Sequence, residues 1–539
     1  MKVLKFGGTS VGTPERIVDI GKLLLDRHQA GEQMTVVTSA FGGVTDALIK
    51  CSDLAASGDK NYLQIAEQIE SRHHNTIRSL GLSGDEVVGE ITRNFVNFKN
   101  LLHGVFLVRE ASARTMDFLL SFGERNAAPI LAAYLSTLGL PARYLDARQI
   151  IKTNKEFGRA KVNFSTTEKL IQDRFRGGEN FIEIVTGFIA TDIGGLTTTL
   201  GRGGSDYTAA IIAGALRAEV LEIWTDVDGV LTSNPKIVEN AYTIPELSYD
   251  EAMELSHFGA KVIYPPTIQP ALAESIPIYI KNTFNPSFMG TLISDRIPRG
   301  GKGNITGVTG ISDITLLTLA GSGLMGIPGS SARLFSALGR AKINIVMITQ
   351  ASSEHSICIA VRSGDTPQAV EVLSEEFQKE MEARLVKPIK TEPGLSLIAV
   401  IGEKMKSVPG VSGSLFKALG NNGINVAAIA QGSSELNISV AIKRKDEVKA
   451  LNLVHDAFFL SESKGLNLFL VGVGLIGGTL LEQIKDQYDT LREDKNLDIH
   501  VIGIANSKKM YFHSDGIDLS RWREDLEKSG VPSSFDGYV

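Results

Sequence analysis

Cysteine is nearly absent. Only Cys51 and Cys358 occur in 539 residues, too few for a disulfide framework, and no Cys/His cluster has the spacing of a metal site. Long apolar runs are missing as well: nothing approaches the roughly 18 apolar residues of a membrane span, and the N-terminal "MKVLKFGG" carries no secretory h-region. Neither sign of charge dominates. Lys and Arg number 55 against 61 Asp and Glu, a net charge of −6, which supplies no global field for nucleic acid or an anionic membrane, so any phosphate recognition must be local. The adjacent His73 and His74 are expected on a solvated helix surface. These absences lead to the expectation of a cytoplasmic protein whose partners are small molecules, with no nucleic acid and no membrane.

What is present is an ordinary globular composition, 43% apolar and 22% charged, in a chain long enough for about three or four domains. An internal repeat stands out first. "PGSSARLFSALGRAKINIVMITQASSEHSICIAV" begins at Pro328 and "PGVSGSLFKALGNNGINVAAIAQGSSELNISVAI" at Pro409. Each copy has a helical pattern (Leu334, Phe335, Leu338; Leu415, Phe416, Leu419) followed by a β-rich segment, and a strand-like run, "ITLLTLAG" or "LSLIAVIG", precedes it. Two neighbouring α/β modules pair sheets and leave matched interfaces. Asn344 and Gln350 in one copy correspond to Asn425 and Gln431 in the other, where an amino acid could be held between modules. The alternative for the glutamines is a buried group bonded to neighbouring backbone.

Ahead of the repeat, "MKVLKFGGTS", "MTVVTSAF", "IEIVTGFIA" and "VLEIWTDVDGV" read as buried strands, separated by amphipathic helical stretches of which the longest runs from about Tyr62 to Phe122. Alternation of this kind implies a mostly parallel sheet covered by helices on both faces, with ligands at the carboxyl ends of the strands. The glycine-rich stretch from Arg299 to Asn304 is the expected boundary before the repeats.

The strand ends carry polar groups supported by glycine. "LKFGGTS" puts Lys5 at a strand end, with Gly7 and Gly8 turning backbone N–H groups toward an anion. In "LGRGGSDYTAA", Arg202 lies between glycines and can pair with a carboxylate, while Asp206 either orients Lys5 or a metal-bound phosphate or merely caps a helix. "WTDVDGVLTSNP" sets Asp226 and Asp228 in a turn, and "SHFGAKVIYPP" sets Lys261 beside Gly259.

Together "KFGGTSV", "SFGER", "GRGGSDYTAA", "WTDVDGV" and "FGAKV" resemble the aspartate kinase branch of the amino acid kinase family. The repeats resemble paired ACT regulatory modules, and the terminal "FLVGVGLIGG" resembles the opening of a homoserine dehydrogenase, the order found in bifunctional aspartokinase–homoserine dehydrogenases. The resemblance implies an α/β fold: a three-layer αβα kinase domain over residues 1–297, ACT-like modules over 305–388 and 389–463, and a partial Rossmann domain over 464–539. It implies transfer of the ATP γ-phosphoryl group to the β-carboxylate of L-aspartate, with Mg²⁺ carried by ATP, to give 4-phospho-L-aspartate, the first step toward lysine, threonine and methionine. By the same similarity Lys5, Asp206 and Lys261 are catalytic; Ser39, Thr45, Glu124 and Arg202 bind aspartate; Gly7, Gly8, Thr225, Asp226, Lys236 and Lys261 bind ATP. An attacking carboxylate is already ionised, so no general base is required. Leu231 and Lys236 depart from the family pattern, which usually has tyrosine and arginine there. Gln350 and Gln431 resemble positions linked to threonine feedback, and one ACT module is expected to be completed by chain following the other, which would shift sequential boundaries by one strand. A homodimer or homotetramer through the ACT modules is expected.

Gly472, Gly474 and Gly477 fit G-x-G-x-x-G between a strand and a helix. The next strand ends at Asn506 without the acid expected for a ribose hydroxyl, and Lys508 suits a 2′-phosphate instead. With 67 residues after Gly472, a truncated dehydrogenase is expected: NAD or NADP would serve only the full domain, and homoserine dehydrogenase activity is not. The competing readings are a non-catalytic amino-acid sensor, disfavoured because Lys5, Arg202, Asp206 and Lys261 are all present, and a dehydrogenase fragment retaining NADP binding.

Overall fold

The β-branched runs near the start become strands buried on both faces. In the computed structural model the chain runs β1 (Lys2–Phe6), α1 (Pro14–Gln29), β2 (Met34–Thr38), α2 (Val44–Ser57), α3 (Tyr62–Ser79), α4 (Asp85–Val108), α5 (Ala113–Leu120), α6 (Phe122–Thr137), β3 (Ala142–Leu145), β4 (Lys152–Thr153), α7 (Phe164–Phe175), β5 (Ile182–Thr186), β6 (Ile189–Asp192), β7 (Thr197–Thr199), α8 (Gly204–Leu216), β8 (Val220–Thr225), β9 (Glu246–Leu247), α9 (Tyr249–His257), α10 (Pro265–Ala273), β10 (Ile278–Asn282) and β11 (Thr291–Ile293). The structure describes all residues except 83, 177–180, 260–263, 296–304, 325–328, 351–354, 406–407, 433–435, 460–463, 496, 514–515 and 535–539. The boundary expected from Arg299 to Asn304 and the candidate Lys261 lie outside the described residues.

The main sheet has the order β3-β5-β2-β1-β8-β10-β11-β9, parallel except where β10 meets β11. β1 is flanked by β2 and β8, both parallel to it, so the chain leaves β1 toward opposite sides and opens a crevice at the carboxyl ends of these strands. Successive residues of β1 serve opposite cores: Leu4 and Phe6 pack with Val36, Phe41, Phe95 and Phe122, and Val3 with Val37, Val185, Ile211 and Leu221. Two covered faces explain the continuous rather than alternating apolar runs. A short second sheet, β4-β6-β7, leads into α8.

Two sequence expectations are corrected here. The stretch from Tyr62 to Phe122 is not one helix: it breaks at Gly81 (φ 68°) and again at Arg109, a non-glycine residue at φ 58° that ends α4. His73 is fully buried, its ring stacked 4.8 Å from Phe41 and edge-on 5.3 Å from Phe95, with Nδ1 2.8 Å from the Ile69 carbonyl. α3 is sandwiched between α2 and α4, so one of the two histidines must point inward, and desolvation lowers the His73 pKa to about 4.

The repeats follow as β12 (Gly307–Ala320), α11 (Ser330–Arg340), β13 (Ile345–Gln350), β14 (Ser356–Arg362), α12 (Thr366–Glu376), α13 (Gln378–Glu382), β15 (Lys390–Ile401), α14 (Val411–Gly420), β16 (Val426–Gln431), β17 (Asn437–Lys443) and α15 (Glu447–Phe459). Their strands form one antiparallel sheet, β13-β14-β12-β15-β17-β16. β12 and β15 each serve both copies: Gly307–Ile311 pairs only with β15, whereas Ile314–Ala320 also pairs with β14. The strand beside the first strand of the second copy thus precedes the first copy in the chain. Both long strands kink where the backbone turns left-handed, at Asp313 (φ 62°) and Gly394 (φ 73°), 394 − 313 = 81 residues apart, so the repeat extends to its bulges. Glu447 clasps the two, accepting from Ser312 Oγ at 2.5 Å and Ser396 Oγ at 2.6 Å.

α9 joins the kinase-like part to this sheet. Ser248 and Glu251 form a capping box at its start. Glu251 also accepts from the Glu403 backbone N–H at 2.9 Å and from the Thr306 hydroxyl. One turn on, Glu254 accepts from Asn437 Nδ2 at 2.7 Å.

The chain divides into two compact units, Met1–Gly413 with Gly420–Leu451, and Ser414–Leu419 with Asn452–Val539. The second contains β18 (Lys464–Val471), α16 (Leu475–Lys495), β19 (Leu497–Ala505), β20 (Lys509–Phe512), α17 (Trp522–Ser529) and β21 (Val531–Pro532). β18 and β19 are parallel and the remaining pairs antiparallel, around a core that includes Leu481, Val501, Ile504 and Trp522. Among the described residues no helix is long and apolar enough to cross a membrane.

Candidate active site

Lys5 is the penultimate residue of β1 and is nearly buried; its Nζ lies 2.6 Å from Asp206 Oδ1, in the first turn of α8. The pair forms because β1 and α8 meet at the crevice, and it leaves one cation held in place by one carboxylate. Gly7 follows, its N–H donating to the Trp224 carbonyl at 3.1 Å, and a Cβ there would sit 3.5 Å from Lys5 Nζ. Gly8 has a stricter reason to be glycine, since a Cβ would come within 2.9 Å of the Ala40 carbonyl. The loops after β1 and β2 interlock at this point: Gly42 N–H donates to Gly8 O at 2.8 Å and Ser39 N–H to Phe6 O at 3.1 Å. Arg72 ties them from α3, donating to the carbonyls of Gly12 and Gly42 at 2.7 Å each.

Glu124 enters the same place from the first turn of α6. It is 3% exposed. One oxygen accepts from Ala40 N–H at 3.2 Å and the other has no hydrogen-bond partner. Burial pushes its pKa up to about 8 against the lowering effect of the backbone donors. A buried carboxylate with an idle oxygen is costly unless a cation arrives. Gly123 lets α6 come this close, because a Cβ would meet Ala40 Cβ at 2.8 Å. Ser39, in the loop after β2, and Thr45, in the first turn of α2, are both half-buried.

Arg202 is exposed between Gly201 (φ 76°) and Gly203 (φ 70°), its guanidinium 5.7 Å over the Tyr264 ring. On the other side of β1, Thr225 ends β8 and donates to Asp226 Oδ1 at 3.3 Å. Asp228 behaves differently: it accepts from Asn282 Nδ2 at 2.9 Å and Asn285 Nδ2 at 3.1 Å, the turn chemistry that the sequence left open. Lys236 is exposed in the following loop, its backbone N–H held by Asn234 Oδ1. The structure thus gathers Lys5, Gly7, Gly8 and Asp206 around β1 and ties Ser39's loop and Glu124 to them, while Lys236 stays a peripheral surface residue. Sequence reasoning missed Arg72, and also Asp117 of α5, a buried carboxylate that receives donors from Gly158 and Thr199. Neither motif nor spacing announces contacts of that sequence separation. Among the described residues no group of three or more His, Cys, Asp or Glu side chains could hold a metal ion.

In the repeats, Gln350 and Gln431 end β13 and β16, and Asn344 and Asn425 precede those strands; all four are exposed. Gln431 lines a cavity of about 340 Å³ with Met405, Val408, Pro409, Val411, Ser412 and Ile438. In the second unit, Gly472 (φ 100°) and Gly474 turn from β18 into α16, and Gly477 is obligatory because a Cβ would lie 2.1 Å from Gly472 O. Asn506 spends its side-chain oxygen on the N–H groups of Lys508 and Lys509.

Comparison with known proteins fits this geometry. The model of the amino acid kinase family matches residues 1–282, and that of the ACT domain matches 317–377 and 398–458. Bifunctional aspartokinase/homoserine dehydrogenase 2 of Arabidopsis thaliana is 39% identical over 545 residues, covering all of this chain and 59% of that relative; the chain therefore spans about three-fifths of its length. Aspartokinase 3 of the same plant is 33% identical over 470 residues, 86% of this chain and 82% of the relative. Escherichia coli aspartokinase III in complex with aspartate and ADP superposes with a TM-score of 0.72 at 29% identity, over 85% of this chain and 100% of that one, and the same enzyme with lysine and aspartate gives 0.66 at 30% identity, over 85% and 99%.

Proposed function

The chain belongs to the amino acid kinase family, in its aspartokinase branch, and on that premise we propose that it transfers the γ-phosphoryl group of ATP to the β-carboxylate of L-aspartate, giving 4-phospho-L-aspartate and ADP. The observation that carries the reading is the pairing, at one crevice, of a fixed cation and a buried carboxyl that a substrate cation would ionise: Lys5 held by Asp206, and Glu124 with an idle oxygen.

The chemistry asks for little else. Nucleophile and phosphate are both anionic, so the site must cancel charge and align the groups rather than remove a proton. Lys5, with Lys261, neutralises the phosphates, and the N–H groups of Gly7 and Gly8 supply further donors. Asp206 keeps the Lys5 ammonium aimed. The same carboxylate would help hold a Mg²⁺ carried by ATP, which would supply further neutralisation of the phosphates. Glu124 takes the substrate ammonium and Arg202 its α-carboxylate, the opposite charges that a zwitterion demands, while Ser39 and Thr45 flank the side chain. Thr225, Asp226 and Lys236 border the nucleotide.

We assign catalysis to 1–297 and regulation to 305–388 and 389–463, two modules that share the paired strands β12 and β15, and read 464–539 as the opening part of a dinucleotide-binding domain, with NADP or NAD serving only the full dehydrogenase. The effector is an amino acid, threonine rather than lysine, held near Asn344, Gln350, Asn425 and Gln431, and the chains associate through the ACT sheet edges. The compartment is the cytoplasm. ADP release, measured with each candidate amino acid in turn, tests the reaction: it should depend on aspartate and fall away with glutamate. Turnover with glutamate and none with aspartate would refute it.

A further inference from the structure

Asp117 is 1% exposed, and every donor it receives comes from one neighbourhood. Its Oδ1 accepts from Gly158 N–H at 3.0 Å and Thr199 Oγ1 at 2.7 Å; its Oδ2 accepts from Gly158 N–H at 2.9 Å and Thr199 N–H at 3.0 Å. Among the described residues no cation pairs with it, and burial raises its pKa, opposed by these donors. A buried charge is retained at such expense where it fixes one arrangement of the chain. The two segments it joins converge on the Gly201–Gly203 turn. Thr199 is the last residue of β7, three before Arg202, and a Cβ on Gly201 would lie 3.2 Å from Gly158 O. Arg202 itself is exposed between two left-handed glycines, so its backbone gains no stiffness of its own and takes its place from the end of β7.

The same helical stretch sets the other charge. Ser121 ends α5 and opens α6, so Asp117 and Glu124 are seven positions apart on nearly continuous helix. One grips β7 and the other the β2–α2 loop. We propose that Asp117 is a positioning residue for amino-acid recognition: by anchoring Thr199 and Gly158 to the element that carries Glu124, it fixes the separation between the Arg202 guanidinium and the Glu124 carboxylate, and hence which amino acid's carboxylate and ammonium fit both. This rests on the assignment of those two residues to the substrate made above.

The test uses the full chain and steady-state kinetics. Asp117→Asn replaces one acceptor with a donor facing N–H groups; it should raise KM for aspartate on the order of tenfold while KM for ATP stays within about twofold. Thr199→Val, which removes a single hydroxyl donor, should move KM for aspartate in the same direction by less, and decides the matter if Asp117→Asn does not fold. In an Arg202→Ala background the Asp117→Asn effect on KM should shrink below about twofold, because the two act through one contact. A lowered melting temperature with KM for aspartate unchanged, an equal rise in both KM values, or full additivity with Arg202→Ala would each overturn the inference. A parent chain inactive toward aspartate would remove the kinase reading and this inference with it, whereas an active parent with unmoved KM values removes the inference alone.

Discussion

Replacing Glu124 by glutamine isolates the most unusual electrostatic feature of the crevice. The carboxyl titrates near 8 when folded instead of 4.5, a difference of about 3.5 units, or about 5 kcal/mol at 1.36 kcal/mol per unit. Because the folded value is the higher one, the folded state holds the proton longer. The stability associated with that proton is fully present below about pH 4.5 and is lost as pH rises through about 8. Glu124→Gln keeps an acceptor for Ala40 N–H and abolishes the titration. Urea denaturation followed through Trp224, buried beside the site, in a Trp522→Phe background should therefore show the variant gaining on the parent by up to about 1.4 kcal/mol per pH unit between pH 5 and 8. A substrate ammonium at the idle oxygen would favour the carboxylate, so aspartate binding at pH 7 should release a proton, visible by calorimetry in two buffers of different ionisation enthalpy. Parallel pH profiles for parent and variant, or proton uptake on binding, would refute the reasoning.

Other perturbations have simpler outcomes. Lys5→Ala or Asp206→Ala should lower kcat on the order of a hundredfold with the circular dichroism spectrum unchanged, as expected when a fixed charge leaves a transition state; a parental rate for Lys5→Ala contradicts the assignment. Gln350→Ala and Gln431→Ala should raise the threonine concentration needed for half-inhibition while sparing the uninhibited rate, read from inhibition curves. Glu254→Ala, which deletes the acceptor for Asn437 between α9 and the ACT sheet, should leave the uninhibited kcat within about twofold and reduce the maximal inhibition, since an effector acts only through contacts that differ between states. Full inhibition in that variant would place the coupling elsewhere.

Much of the frame was legible because it rests on local patterns. Strands covered on both faces betray themselves as runs such as "KVLKF" and "MTVVT", and glycines forced by close approach, Gly8 and Gly477 among them, stand in motifs for the same steric reason. The repeat was visible down to its 81-residue offset. What stayed hidden depends on long-range contact. Asp117 meets partners 41 and 82 positions away, and Asp228 is satisfied by asparagines 54 and 57 residues on. His73 is buried because α2 and α4 enclose its helix, which no property of "RHHN" reveals. The shared strands β12 and β15 likewise follow from pairing across the repeat, so module limits drawn along the sequence cut through one sheet. Glu124 lies between these cases: its motif is distinctive, but its idle oxygen is a property of the folded crevice.

The central claim, phosphoryl transfer to a carboxylate supported by the Lys5–Asp206 pair, predicts a mixed anhydride as product. Trapping with hydroxylamine in the presence of ATP, Mg²⁺ and L-aspartate measures it directly. The account predicts aspartyl hydroxamate formed in step with ADP by the parent chain, reduced on the order of a hundredfold in Lys5→Ala. ADP released without hydroxamate, or hydroxamate formed equally well by Lys5→Ala, would contradict it.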